Sequence, residues 1–200
     1  MPHKEQILVG LSCLLTNFSE LLQSNEQGDF SMNYMKITKY DTANGFGIRD
    51  VLWVSGCEHH CPECHNQETW DCSAGKEFTE DTLKEILKDM DAPFRKGITF
   101  SGGDPLHPNN RETVTEVARR VREVHPEKSI WCYTGYRYDD VRDLDIMQYL
   151  DVLVDGRFIV AQKDLTLLYC GSKNQRVIDV QKTREIGNIV LWWTPETMTN

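Results

Sequence analysis

The sequence predicts an α/β protein built on a parallel sheet, and three observations predict it. Short apolar runs alternate with segments whose apolar residues recur at helical spacing, the signature of repeated strand–helix units. Each cluster of unusual residues follows one of those runs: V-S-G-C-E-H-H-C-P-E-C-H-N at 54–66, S-G-G-D-P at 101–105, T-G-Y at 134–136 and D-G at 155–156. Loops at the carboxyl ends of parallel strands carry the chemistry in such folds, so all four clusters fall on one rim. A chain of 200 residues, 40% hydrophobic and 26% charged, has room for one domain with one sizeable core and is not a disordered chain.

The first 31 residues are unlike the rest. Lys4 and the apolar run at 7–15 imitate a leader peptide, but no small-residue cleavage site follows. Leu11, Leu14, Leu15, Phe18, Leu21 and Leu22 recur at helical spacing, so a short amphipathic helix is expected there, with a linker at 24–29. Met32 offers an alternative start, so 1–31 reads as an N-terminal extension and 32–200 as the working domain.

In that domain the run at 51–55 is a strand entering the cysteine loop. A helix over 78–90 follows, with Thr79 or Thr82 as its start and Leu83, Ile86, Leu87 and Met90 on one face. Residues 97–100 form a second strand and Arg111–Val124 a second helix, its Val114, Val117, Val121 and Val124 turned inward. A strand at Ser129–Tyr133, a helix over 140–150 and a strand at 152–154 continue the alternation. Beyond these, 176–180 and 189–193 each read as a strand.

The net charge of −9 argues against duplex nucleic acid as the main partner, since phosphate binding needs a basic face. No uncharged apolar run approaches a membrane span. The seven cysteines are odd in number and three of them are bunched, which does not match a secreted disulfide framework. They read as metal ligands in a reducing compartment, and a cytoplasmic location is expected.

Cys57, Cys61 and Cys64 form C-x3-C-x2-C, one thiolate short of a closed four-ligand site. Zinc could complete its tetrahedron with His59, His60, His65 or Cys72, although no second Cys/His pair stands at finger-like spacing. An iron–sulfur cluster accounts for more, because three thiolates on a four-iron cube leave one iron open to a small molecule. Spacing alone leaves both readings standing.

The residues quoted so far, taken together, resemble the radical S-adenosylmethionine superfamily, and within it the family that activates anaerobic ribonucleoside-triphosphate reductase. The resemblance runs through N-Y-M-K-I (33–37), N-G-F-G-I-R (44–49), V-S-G-C (54–57) and C-H-N-Q-E-T-W (64–70). It continues through S-G-G-D-P-L-H-P (101–108), W-C-Y-T-G-Y (131–136), V-D-G-R-F (154–158) and G-S-K-N-Q-R-V-I-D (171–179). It implies a partial (β/α)6-type barrel, since the chain is too short for the roughly 250 residues of a full eight-unit barrel. It also implies that Cys57, Cys61 and Cys64 hold a [4Fe–4S] cluster whose open iron binds the amino and carboxylate groups of S-adenosylmethionine. One electron from the reduced cluster would then break the bond to the 5′ carbon, and the 5′-deoxyadenosyl radical would take a hydrogen from a glycine α-carbon of the reductase. The hard chemistry is the cofactors', and the protein positions them. The implied partners are that reductase and an electron donor such as reduced flavodoxin.

The resemblance also assigns roles to residues. Gly102 and Gly103 would let the strand edge approach the methionine amino group, and Asp104 holds the acidic place of the glycine-glycine-acid motif. Glu63 stands where many superfamily members carry a bulky apolar residue against adenine, which leaves backbone contact from Glu63, Cys64 and His65 as the expected mode. Asn66 either hydrogen-bonds the ligand or caps the next turn. His59 and His60 are expected to be exposed loop residues, and Cys72, Cys132 and Cys170 to act as small apolar residues. Thr134 is expected at the cofactor pocket and Tyr133 in core packing rather than at the pocket, with Asp155 and Arg157 on the same rim and Trp192 and Trp193 in the core.

Two rivals remain. The C-H-N and T-W residues are shared with activases of other glycyl-radical enzymes such as pyruvate formate-lyase, whereas N-G-F-G-I-R and G-S-K-N-Q-R-V-I-D favour the reductase. From another class, a zinc-stabilised binding module would be colourless and would leave S-adenosylmethionine intact.

Overall fold

The computed structural model describes residues 30–192. The helix expected over 11–22, the linker at 24–29 and Trp193 lie outside the described residues. Among the described residues seven strands form: β1 (Asn33–Asp41), β2 (Arg49–Val54), β3 (Lys76–Glu77), β4 (Gly97–Gly102), β5 (Ser129–Tyr133), β6 (Val152–Asp155) and β7 (Arg176–Asp179). They make one sheet in the order β3-β1-β2-β4-β5-β6-β7. The central block β2-β4-β5-β6 is parallel, as expected. The edge strands β1, β3 and β7 run antiparallel to their neighbours, so the sheet is mixed. The short turn between β1 and β2 is the reason at one edge, because a parallel pair needs a crossover of about a dozen residues or more.

Among the described residues four helices accompany the sheet: α1 (Glu80–Met90), α2 (Arg111–Val124), α3 (Tyr138–Val141) and α4 (Val180–Ile186). Of the two candidate starts, Thr79 caps α1, its side chain accepting from Thr82 N at 3.3 Å. Leu83, Ile86, Leu87 and Met90 are buried on one face, and in α2 so are Val114, Val117 and Val121. The single helix expected over 140–150 is instead α3 followed by a 3-10 turn at Asp145–Gln148. Leu144 between them takes an extended ψ of 141°, which breaks the α-helical run. The strand expected over 189–193 reduces to one bridge, Ile178 with Leu191, and Trp192 N bonds Val177 O at 2.9 Å.

Strand alternation divides the sheet into two faces. Ile98, Phe100, Ile130, Cys132 and Leu153 join the core into which all four helices send their buried residues. Trp131, Val152, Val154 and Val177 point the other way and are covered by Tyr133, Tyr169 and Trp192. Trp192 meets Trp131 edge-on at 4.8 Å, which places it against this second cluster.

The N-G-F-G-I-R run closes the far end of that second face. Arg49 is fully buried and donates to Thr99 Oγ1 at 2.6 Å, Ile98 O at 2.7 Å, Phe46 O at 3.0 Å and Ser129 O at 3.1 Å. Its guanidinium lies over the Trp131 ring, 5.1 Å from the centroid. A buried cation is tolerable here because its donors are met by backbone and hydroxyl oxygens of two strands, β4 and β5, and a loop.

The core reaches back to Phe30, whose ring meets Phe78 edge-on at 5.1 Å, and Met32 O accepts from Phe78 N at 2.9 Å. Phe30→Ala is expected to cost about 3 kcal/mol of unfolding free energy, read as a lowered urea midpoint with unchanged slope.

Candidate active site at the cysteine rim

β2 runs without interruption into the cysteine loop. His60 and Glu63 adopt left-handed backbone, with φ of 46° and 54°, and each directly precedes a cysteine. Such residues cost about 1 kcal/mol or more apiece, and clusters of them mark functional loops. The result is an alternation in which His60 and Glu63 face solvent while Cys61 is buried and Cys57 and Cys64 are half-buried. All three cysteines line one cavity of about 170 Å³. Its other walls are the ends of β4, β5 and β6, from Ser101 to Asp104, Tyr133 to Gly135 and Gly156, so the expected rim is formed. A larger cavity of about 810 Å³ lies beside α3 and α4, but no cysteine and none of the rim motifs reaches it.

The donor set, three cysteine thiols on one cavity, fits a four-iron cube held by three thiolates. Among the described residues no three His, Cys, Asp or Glu side chains close around one ion. A four-iron cube spreads three thiolates over three irons, so cysteines sharing a cavity without single-ion spacing suit it. Of the other zinc candidates, His65 is exposed and outside the cavity walls. The His60 ring lies edge-on to Trp70 at 4.7 Å, and Cys72 stands behind the loop with its Sγ 4.0 Å from His107 Nδ1. Burial pushes the Cys57 thiol up to about 11, so binding a metal there must displace a proton.

Asp104, 1% exposed, ties the rim together. Oδ1 accepts from Leu106 N at 2.8 Å and Thr134 Oγ1 at 2.9 Å, and Oδ2 from Gly135 N at 2.9 Å. Oδ2 also pairs with His59 Nε2 at 2.6 Å. His59 is therefore not the exposed loop residue expected: its side chain is 11% accessible. Gly135 makes this possible, since a Cβ there would sit 2.2 Å from the His59 ring.

The glycines have a packing reason of their own. A Cβ on Gly103 would come within 2.5 Å of Gly56 O, and one on Gly102, at φ +104°, within 2.7 Å of Val54 N. Gly103 N bonds Val54 O and Asp104 N bonds Gly56 O, both at 2.8 Å, so the glycine loop is laced to the cysteine loop backbone to backbone. Asn66 adds a side-chain tie, Nδ2 to Gly102 O at 3.3 Å, and makes no capping bond. Cys64 and Asn66 line the cavity together with Gly102, Gly103 and Asp104. Glu63 and His65 are exposed and outside its walls, and Glu63 lies 3.9 Å from Lys163 Nζ.

Asp155 is fully buried and is held by Arg176 and by Tyr138 N at 2.8 Å, while Arg157 donates to His59 O. Thr134 is occupied by Asp104, and Tyr133 lines the cavity, where burial raises its phenol well above the ordinary range. Trp70, Phe158 and Gln175 are cavity walls that the sequence reading had not singled out. All three fall inside quoted runs, C-H-N-Q-E-T-W, V-D-G-R-F and G-S-K-N-Q-R-V-I-D, which was the available signal. Gln175 closes the last of these onto β6, accepting from Gly171 N at 2.9 Å and donating to Gly156 O at 3.0 Å.

Residues 43–178 match the model of the 4Fe-4S single cluster domain family. Three similar proteins share one name, anaerobic ribonucleoside-triphosphate reductase-activating protein. That of Enterobacteria phage T4 is 41% identical over 148 residues, covering 73% of this chain and 93% of the relative. The Haemophilus influenzae protein is 45% identical over 148 residues (72% and 96%), and that of Escherichia coli K12 41% over 150 (73% and 97%). The family match supports an iron–sulfur cluster as the group this cysteine loop serves.

Asp104→Ala would strand Gly135 N, Leu106 N and the Thr134 hydroxyl in a buried place. It is expected to lower stability by about 3 kcal/mol, measured by urea unfolding of the cluster-free protein.

Proposed function

We propose a function from one premise: this chain belongs to the family of anaerobic ribonucleoside-triphosphate reductase-activating proteins. It activates that reductase by reductive cleavage of S-adenosylmethionine, which leaves a glycyl radical on the reductase. The observation that carries this reading is the convergence of Cys57, Cys61 and Cys64 on one cavity walled by the glycine backbone at 102–103.

In this reading Cys57, Cys61 and Cys64 hold a [4Fe–4S] cluster and leave one iron open. When bound and reduced, the cluster supplies the electron that breaks the sulfonium bond of S-adenosylmethionine and so starts hydrogen abstraction from a reductase glycine. The residues do the positioning. Gly102 and Gly103 present backbone at the cavity wall for the methionine end, and Asn66 orients the Gly102 carbonyl beside it. Of the three residues expected at the adenine end, Cys64 lines the cavity and its backbone would serve that end, whereas Glu63 and His65 lie outside the walls. Asp104 acts one step back, holding the walls on which the cofactor rests.

A sheet with its helices on one face and an aromatic lining on the other supports reading the fold as a partial radical-S-adenosylmethionine barrel. No described helix is long and apolar enough to cross a membrane. A reducing, cytoplasmic setting with a donor such as reduced flavodoxin completes the proposal.

Anaerobic reconstitution is expected to give a brown, iron-containing protein that cleaves S-adenosylmethionine on reduction and raises a glycyl-radical signal in the reductase by electron paramagnetic resonance. Alanine at Cys57, Cys61 or Cys64 should abolish that signal, and full activity in any of the three would refute the cluster assignment. A signal on pyruvate formate-lyase but not on the reductase would reassign the partner, and a colourless protein with one tight zinc would sink the enzyme reading. Because the Glu63 side chain makes only an exposed contact, Glu63→Ala should change the cleavage rate by no more than about threefold.

A further inference from the structure

His59 lies midway between Cys57 and Cys61, and the loops that follow three other strands converge on it. From the β4 loop, Asp104 Oδ2 meets its Nε2 at 2.6 Å. From the β5 loop, Tyr136 packs edge-on at 4.6 Å and Gly135 leaves the space its ring fills. From the β6 loop, Arg157 donates to its carbonyl oxygen. The residues around it have few anchors. Glu58 and His60 are exposed, and their polar contacts are Tyr136 with the Glu58 carboxylate and His60 Nδ1 with Glu58 O at 2.9 Å. Cys57 N is held by Trp70 O at 3.1 Å, but between that point and Cys61 only His59 is bound to the body of the protein on more than one side.

We infer that His59 is a positioning residue that sets the placement of Cys57 and Cys61 by locking their shared loop to Asp104. His59 lines the same cavity as the cysteines, and its role is exerted through the cysteines whose loop it holds. The physical argument is entropic: a loop that leaves β2 through Gly56 and holds two residues in the disfavoured left-handed region has competing conformations, and a hydrogen bond at its midpoint selects among them. The histidine stands in the loop as an outer partner stands behind a metal ligand, where losses of about 10–100-fold in metal affinity or activity follow its removal. What the cysteines hold rests on the function proposed above, whereas the order of the loop does not.

The test uses the full chain as His59→Ala and His59→Gln. In the cluster-free protein, hydrogen exchange of the hydrogen-bonded Cys57 and Cys64 amides should quicken at least about tenfold in His59→Ala while α1 and α2 amides keep wild-type rates. After anaerobic reconstitution, the same variant should lose iron to a chelator about 10–100-fold faster and show an altered resonance spectrum on adding S-adenosylmethionine. His59→Gln, whose amide N–H can reach Asp104, should restore both measures to within about threefold of wild type. Wild-type exchange and iron retention in His59→Ala would overturn the inference. If His59→Ala exchanges throughout α1 and α2, the decision passes to His59→Gln: near-wild-type order and retention support the role, and a folded variant with rapid iron loss overturns it. A wild-type chain that takes up no iron overturns the proposed function instead, and the exchange arm still decides the role of His59.

Discussion

The carboxylate of Asp104 is the constraint from which the rim is built. Two oxygens receive donors from its own turn, from Thr134 and Gly135 after β5, and from His59 in the cysteine loop. A buried carboxylate is tolerated only where its lone pairs are filled, and here the groups that fill them come from three separate strand ends. The consequence is mutual: no one of these loops can take another conformation without leaving a polar group unpaired in the interior. That cooperativity converts three surface turns, each flexible alone, into one wall.

The glycines and the strained residues belong to the same arrangement. Gly103 and Gly102 allow the β4 loop to lie directly on the backbone of Val54 and Gly56, closer than any side chain would permit. His60 and Glu63 bear left-handed strain so that the residue after each turns toward the cavity. Strain of this kind persists where surrounding contacts over-determine it, and the Asp104–His59 tie together with Asn66 to Gly102 O supplies that determination. At the opposite end of the sheet Arg49 does for β2, β4 and β5 what Asp104 does for their exits, joining strands through a buried charge with filled hydrogen-bonding capacity.

Much of this was legible from residue order. Residue order narrowed the start of α1 to Thr79 or Thr82, of which Thr79 is the cap, and the valines of α2 declared its inner face. The edges were not legible for physical reasons. β1 is solvated along most of its length and buries only Tyr34, so its sequence shows no strong alternation, and β3 has two exposed residues. Residues 140–150 carry a helical apolar pattern, yet α3 ends at Val141 and the extended ψ of Leu144 breaks the run before the 3-10 turn at Asp145–Gln148, a local backbone change that apolar spacing does not register.

The sequence by itself determined the chemistry: three cysteines at one spacing, a glycine pair after the next strand, and the ordered runs that place the chain in its family. It determined the parallel core as well, since strand–helix alternation admits few other arrangements. Tertiary structure alone decided which polar residues serve the cofactor cavity and which serve the protein. Asp104 and His59 could each have been a ligand, a cap or a surface group, because a polar side chain's role depends on the partners that distant strands bring within hydrogen-bonding range. Those partners, Thr134 and Gly135 among them, lie 30 residues or more away in sequence and meet Asp104 only when the sheet has formed.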